Sequence, residues 1–415
     1  MRNSTILKPL VGVDKVTITS AHHEQGTLIL QVRLYVRDAT NLRCSQCEKR
    51  CPRYDQGSGY RRWRALDSGT QRVEIEAQAP RVICAEHGVR VALVPWARAG
   101  SGFTRDFEDQ VAWLATQSSK VAVTELMRIG WRTVGRIISR VVADGASIDR
   151  LDGLKRIGID ETSYRKGHRY LTAVVDHDTG HLVWAAPGHD SATLNKFFDL
   201  LGPERSAKIE LVSADAANWI RSTVKARCPN VTQCMDPFHV VTWVTDALDE
   251  VRREEWRKVR ATGDKALAKD IKGTRYVLLK NPKNLTEKQK TTMASIVKAN
   301  GPLHRAYLIK EQFRAVFQAA RGDAKALLDQ WLAWVSRAQF PAFTKAAASI
   351  KKHRAEIDAV LEHRLSNARV ESMNTKLKLI SRRAFGFHGP EALIALAMLS
   401  LGRERPTLPG RMKAG

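Results

Sequence analysis

A chain of 415 residues, 43% hydrophobic and 27% charged, has the composition of a folded globular protein and is long enough for roughly two to four domains. Its formal net charge of +25, from 68 Lys and Arg against 43 Asp and Glu, points to a polyanionic partner, nucleic acid first and an anionic membrane second. No apolar run approaches the ~18 residues of a membrane span, and the N-terminal MRNSTILKPLVGVDK lacks a signal-peptide core; a cytoplasmic protein without a membrane partner is expected.

Six cysteines in such a chain argue against a disulfide framework. Four of them (44, 47, 51 and 84) crowd the first quarter, which suggests metal binding. Residues 13–37 alternate apolar and polar positions around a polar break at His22–Gly26, as a β-hairpin does. Cys44-Ser-Gln-Cys47 is a knuckle that puts two thiolates on one side of a tight loop. Cys84-Ala-Glu-His87 repeats the spacing, so Cys44, Cys47, Cys84 and His87 are expected to bind a structural Zn²⁺ with no open position, Cys51 being a spare. Strand-like runs at Arg61–Leu66 and Arg72–Ala77 lie between the pairs, and a hairpin there is expected to bring the pairs together. On that hairpin Arg61, Arg62 and Arg64, with Trp63 among them, either hold phosphates and stack on a sugar or base, or form a solvated strand edge.

Residues 104–145 read as three helices, the second and third separated by a turn at Gly130, which is the helix-turn-helix pattern or an ordinary three-helix bundle. Arg132, Arg136 and Arg140 recur at i, i+4 and i+8 on the third helix, placed to meet DNA.

After a linker, the apolar run Ile157–Ile159 ends in Asp160. A basic break at Arg165-Lys166 follows, then apolar runs at Tyr170–Val175 and His181–Ala186 around a tight turn. Strand–helix alternation continues through Ile209–Ser213, near Asp215, and Val231–Cys234, before Asp236 and His239 at the start of a long helix. Three strands in series suit an antiparallel meander, and strand–helix alternation suits parallel addition. The expected fold class is therefore α/β, a ribonuclease-H-like mixed sheet. From Asp246 to His363 the pattern is helical and basic, a large all-helical insertion. The closing helix then carries Asn367, Glu371, Asn374 and Lys378 on one stripe beside Val370, Met373, Leu377 and Ile380 on the next, a pattern also ordinary on a solvated surface.

This order predicts an N-terminal β and zinc-binding module (1–98) and a helix-turn-helix domain (99–150). A catalytic core in two parts (151–245 and 364–405) is interrupted by the helical insertion (246–363), and a basic tail (406–415) ends the chain. Such a sheet can converge Asp160, Asp215 and Glu371, and converging carboxylates suit two Mg²⁺ (or Mn²⁺) ions acting on phosphate oxygens. Lys378 is placed to hold a phosphate at the DNA end. Asp236 and His239 at i and i+3 support the site or the DNA, His239 being equally readable as a core histidine. Arg165 and Lys166 lie beside DNA phosphates or form a solvated loop.

Several runs resemble bacterial insertion-sequence DDE transposases of the ISL-three family: GIDE and TAVVDHDTG within 158–180, VSADAANW at 212–219, MDPFHVV at 235–241, RYVLLKNPKNLT at 275–286 and NARVESMNTKLKLISRRAFGF at 367–387. The resemblance implies that Asp160, Asp215 and Glu371 form the metal-binding catalytic triad and that Asp236 to His239 is the family's D-x-x-H element. His87 departs from the cysteine common at that position. It further implies excision and insertion of a mobile element by a dimer or larger assembly acting on inverted-repeat ends and target DNA, in a bacterial, nucleoid-associated setting. A sequence-specific DNA-binding regulator and a structure-specific nuclease are the competing readings.

Overall fold

In the computed structural model, residues 7, 12, 16–34, 41–145, 149–299, 301–365, 368–384, 387, 389–403 and 407–411 are described. The chain forms two compact units, Met1–Arg150 with Leu377–Gly415, and Leu151–Lys376.

In the first unit, β1 (Val16–Glu24) and β2 (Thr27–Leu34) pair antiparallel across Gln25-Gly26. Both turn residues have positive φ, the geometry that matches the twist of a two-residue hairpin. Residues 13–15 and 35–37 of the expected hairpin lie outside the described residues. Next come β3 (Arg53–Asp55), β4 (Tyr60–Arg64), β5 (Arg72–Gln78), β6 (Arg81–Cys84) and β7 (Gly88–Val91). They do not form one module. The β4–β5 hairpin joins the N-terminal hairpin in a sheet of order β1-β2-β5-β4, while β3, β6 and β7 make a separate three-stranded sheet. The expected role of the 61–77 hairpin is thereby corrected: the cysteine pairs meet on the small sheet, and β4–β5 is an excursion from it. The larger sheet needs that excursion, because Trp63, Val73 and Ile75 fill the core shared with Val16, Leu30 and Trp96.

Three helices follow: α1 (Arg105–Gln117), α2 (Lys120–Met127) and α3 (Trp131–Asp144). Thr104 and Ser119 cap the first two through their hydroxyls. Arg128 ends α2 in the left-handed conformation (φ 52°), and the chain turns through Gly130 into α3. Val134, Ile137, Ile138 and Val141 form the buried stripe of α3.

The second unit holds β8 (Arg156–Arg165), β9 (Arg169–Asp176), β10 (Leu182–Pro187), α4 (Ser191–Leu201), α5 (Pro203–Ser206), β11 (Leu211–Ala214), α6 (Asn218–Arg227) and β12 (Thr232–Met235). Sheet order is β10-β9-β8-β11-β12. The first three strands form an antiparallel meander, and β11 and β12 add parallel to β8. Alternation along β8 sends Ile157 and Ile159 into a core with Leu194, Phe197, Ile220 and Val224 of α4 and α6, leaving Gly158 and Asp160 on the opposite face.

The long α7 (Pro237–Ala261) leads into α8 (Lys265–Gly273), α9 (Arg275–Leu279), α10 (Glu287–Ala299), α11 (Pro302–Gln318), α12 (Arg321–Ala338), α13 (Pro341–Lys352) and α14 (Arg354–His363). These helices share their own core, in which Leu248, Phe313, Trp331, Phe343 and Ile350 are buried. Ala359 and Val360 of α14 pack against Cys234 and Leu211, which returns the chain to the sheet edge. There α15 (Ala368–Arg383) begins, and α16 (Pro390–Leu401) follows in the first unit.

Gly158 decides how close α15 can lie to the sheet. A Cβ there would meet Val370 Cγ2 at 2.3 Å, His177 Nε2 at 2.7 Å and Ser213 Oγ at 3.2 Å. Gly158→Ala should therefore destabilise the protein by about 1–3 kcal/mol in denaturant melts. Adding Val370→Ala should restore part of the loss. An unchanged midpoint for the single variant would refute the close approach.

Candidate active site and metal centre

The two cysteine pairs converge. Cys44, Cys47, Cys84 and His87 place one ligand atom each within 4.8 Å of all the others. Cys44 Sγ lies 3.8 Å and Cys84 Sγ 3.6 Å from His87 Nδ1, and Cys47 Sγ is 3.7 Å from Cys84 Sγ. A tetrahedron with bonds of about 2.3 Å has edges of about 3.7 Å, so the four residues fit zinc without rearrangement. Hydrogen bonding with His87 pulls the Cys84 thiol down to about 6, toward the thiolate that metal binding needs. Cys51 bonds to the Lys49 carbonyl and is not among the four.

The side chains of the basic strand β4 are largely engaged within the protein. Trp63 is 2% exposed and packs edge-on against Trp96 at 5.4 Å, so it cannot stack on a base. Arg64 is 5% exposed and pairs with Asp67, and Arg62 pairs with Glu24 and Glu76. Arg61 donates to the Ser101 carbonyl and lies over the Trp63 ring. The larger sheet absorbs the strand, because alternate residues of β4 must face its core. Arg140 is likewise occupied. It donates to the carboxylate of Glu108, a fully buried acid that also accepts from Ser101 and Arg98. Arg132 and Arg136 are exposed on α3.

In the sheet unit, Asp160 lies inside β8 rather than at its end: the strand runs on to Arg165 along β9. Its other neighbour, β11, pairs only over Arg156–Gly158 and ends at Ala214, just before Asp215. The divergence of β8 and β11 leaves both acids just beyond their last parallel pairing, where α/β sheets open a crevice. Asp160 Oδ1 accepts from the Glu161 amide (2.8 Å), and Oδ2 accepts from Asn374 Nδ2 (2.7 Å). Burial raises the Asp160 carboxyl to about 6, and the negative charges of Asp215 and Asp236 add to the rise. Asp215 accepts from the Ala217 amide.

Asp236 is buried and caps α7 by accepting from the Phe238 amide (3.1 Å), while its other oxygen meets His239 Nδ1 at 3.0 Å. That hydrogen bond raises the His239 pKa, with Asp215 and Asp160 contributing charge. His239 is therefore drawn to the acids rather than to an apolar core. Glu371 is exposed in the first turn of α15, one turn before Asn374. Asp160, Asp215 and Glu371 do not approach one another as closely as the four zinc ligands do. Lys378, Arg165 and Lys166 are exposed, and Asn367 lies outside the described residues.

Two further groups belong to this site. Arg369 donates to the backbone carbonyls of His177 and Asp178, tying the start of α15 to the turn after β9. Glu161, whose pKa burial raises with help from Asp215, keeps a buried carboxylate oxygen without a hydrogen-bond partner. Nothing in the sequence marks Arg369, since its partners are backbone atoms of a turn nearly two hundred residues earlier. Glu161 was visible only as the residue after Asp160.

Three family models match successive parts of the chain. Residues 41–87 match the family described as zinc-finger of transposase IS204/IS1001/IS1096/IS1165, and residues 92–142 match the helix-turn-helix domain of transposase family ISL3. Residues 157–397 match the DDE transposase model of that family. The chain belongs to the ISL3 family of DDE transposases. It is 51% identical to the transposase for insertion sequence element IS1557 of Mycobacterium tuberculosis, over 99% of this chain and 98% of the relative. It is 26% identical to the transposase for insertion sequence element IS1001 of Bordetella parapertussis, over 84% and 86% of the two chains. As an ISL3 transposase it is an enzyme acting on DNA, with a zinc-ribbon module and a helix-turn-helix domain. No helix among the described residues is long and apolar enough to cross a membrane.

Two expectations follow. Treatment with a strong chelator should release one zinc per chain, read with a colorimetric zinc dye, and collapse the small sheet. Cys84→Ala should lose the metal and His87→Cys should keep it; a Cys84→Ala protein with full zinc would overturn the ligand set. Asp160, raised from 3.8 to about 6 by folding, favours the protonated fold. Its stabilising contribution is fully present below about 3.8 and is lost as pH rises through about 6. In metal-free protein, the stability difference between wild type and Asp160→Asn should therefore change across this window, measured by melts from pH 4 to 7. A pH-independent difference would argue against the raised value.

Proposed function

We propose that this ISL3 transposase cleaves DNA at the inverted-repeat ends of an insertion sequence and joins the freed 3′-hydroxyls to target DNA. Asp160, Asp215 and Glu371 act as its metal-binding triad. The observation that carries the reading is the hydrogen bond from Asn374 to Asp160, across 214 residues of sequence, which ties the helix bearing Glu371 to the strand bearing the first acid. The 3-2-1-4-5 order of the sheet, with its first three strands antiparallel, supports a ribonuclease-H-like core.

The donor set is all hard oxygen, as Mg²⁺ or Mn²⁺ requires. Asp160 and Asp215 offer carboxylates at a strand divergence, and Glu371 offers a third from the facing helix. Bound there, the ions would activate the attacking oxygen as Lewis acids and neutralise charge at the scissile phosphate. The protein's own residues do the rest. Asn374 orients the Asp160 carboxylate. Asp236 holds the His239 ring through Nδ1, leaving Nε2 to face DNA or a proton in transit. Lys378 lies on the same helix as Glu371 and serves as a phosphate contact. In hydrolysis the new bond joins water oxygen to phosphorus and the phosphodiester bond to the 3′-oxygen breaks; in joining, that 3′-oxygen attacks a target phosphorus and displaces the target's own 3′-oxygen.

The domain assignment proposed is residues 1–98 and 99–150 for reading the ends, with Arg132 and Arg136 toward DNA. The parts 151–245 and 364–405 do the chemistry around the insertion at 246–363, with the tail at 406–415. Arg165 and Lys166, exposed at the β8–β9 turn, lie where flanking phosphates would pass. Two ends held together call for a dimer or larger assembly.

Replacing Asp160, Asp215 or Glu371 with Ala should abolish Mg²⁺-dependent cleavage, a loss of at least about a thousandfold on the scale of removing a charge-stabilising catalytic group. Binding to labelled terminal repeats should stay near wild type. A gel assay with labelled ends and a target plasmid reads both: cutting with joining is expected. Cutting alone would indicate a nuclease, binding alone a regulator, and full cleavage by Asp160→Ala would remove that residue from the triad.

A further inference from the structure

We infer that the α7–α8 helical hairpin of the insertion is a second DNA-binding surface, which grips the phosphate backbone of duplex DNA without reading its sequence. Between Arg252 and Lys290 the chain has thirteen Lys and Arg against five Asp and Glu, far more basic than its overall 68 to 43. Beyond Arg252 the hairpin carries almost no buried residues. In α7 the buried residues are Val240, Val244, Ala247, Leu248, Val251 and Arg252, and none follows Arg252. In α8 only Ala268 is buried.

Several of the acids nearby are already occupied. Asp249 pairs with Arg252 and Arg253, Glu255 pairs with Lys258, and Asp264 caps α8 by accepting from the Leu267 amide. Lys265, Lys269 and Lys272 remain. They recur at i, i+4 and i+7, so they form one stripe about 10 Å long on α8. All three are exposed, and among the described residues none has a carboxylate within ion-pair distance. The one acid between them, Asp270, lies roughly 100° round the helix from Lys269.

Three ammonium groups over about 10 Å match about three successive phosphates of one strand, at about 3.4 Å of axis each. Lysine is depleted at protein–protein interfaces, and it suits phosphate as a flexible point charge. Contacts of this kind fix position and carry no sequence information, so the surface suits target or flanking DNA rather than the terminal repeats. The choice of DNA as the polyanion rests on the reaction proposed above.

The test uses the full-length protein without added Mg²⁺, so that it does not depend on catalysis. Binding of a random-sequence duplex is measured by fluorescence anisotropy across a range of salt concentrations. For the variant K265A/K269A/K272A, the slope of log affinity against log salt should become shallower by about 2–3, near 0.9 per lost phosphate contact. Preference for terminal repeats over random duplex should be retained or increased. Replacement of the same three lysines by Arg should keep the wild-type slope, and the Ala variant should melt at the wild-type temperature. An unchanged slope overturns the proposal. So does an unchanged slope with a smaller mass in sedimentation, which would make the stripe a contact between copies of the chain. Because the readout is binding, a failure of the triad assignment would leave this result standing, and the reverse.

Discussion

A carboxylate held on the middle strand of a five-stranded sheet sets the terms for the rest of the second unit. Burying Asp160 costs free energy that the protein recovers only in part, through the Glu161 amide and the Asn374 side chain. The raised pKa is what remains unpaid. Nearby Asp215 and Asp236 make the position worse, not better, in the absence of a cation. A fold selected for stability alone would place an apolar residue there. Keeping the acid makes sense when a doubly charged partner relieves it.

The same constraint explains the approach of α15. A helix can lie close to a sheet only where side chains are small, and Gly158 supplies that gap two residues before Asp160 on the same face. Val370 fills it, one turn of helix then brings Asn374 over Asp160, and Arg369 fastens the start of the helix to the carbonyls beyond β9. These contacts fix the register of Glu371 locally. The intervening helices have their own core and touch the sheet edge through α14. A long insertion with its ends anchored adds only a slowly growing closure entropy, so Glu371 can reach the sheet from far along the chain.

Much of this was legible because strands and helices leave periodic traces. The strand–helix order, the three helices before it and the two metal-ligand pairs all rest on spacing that burial or tetrahedral geometry demands. The failures share one cause. Trp63, Arg64 and Arg140 look like DNA contacts in a basic chain, and nothing local shows that β4 would be recruited into the N-terminal sheet or that a buried Glu108 would claim Arg140. Asp160 was placed at a strand end because its apolar run stops there; β8 continues as a polar strand because β9 pairs with it throughout, a pairing that hydrophobicity does not reveal. Arg369 bonds to backbone, which has no side-chain signature at all.

These internal pairings change what the net charge means. A formal +25 overstates the charge available to DNA, since Arg62, Arg64, Arg98 and Arg140 are all committed to carboxylates within the first unit. Pairs of that kind, partly or wholly buried, are not free to exchange a carboxylate for a phosphate, because breaking them strands a buried acid such as Glu108. Charge that can release counterions on binding must be exposed and unpaired. Among the groups that meet that criterion are Arg132 and Arg136 on α3, Arg165 and Lys166 at the β8–β9 turn, and the lysines of α8. They lie on three separate elements, one suited to entering a groove and two to following a backbone. A DNA transposase has use for both kinds.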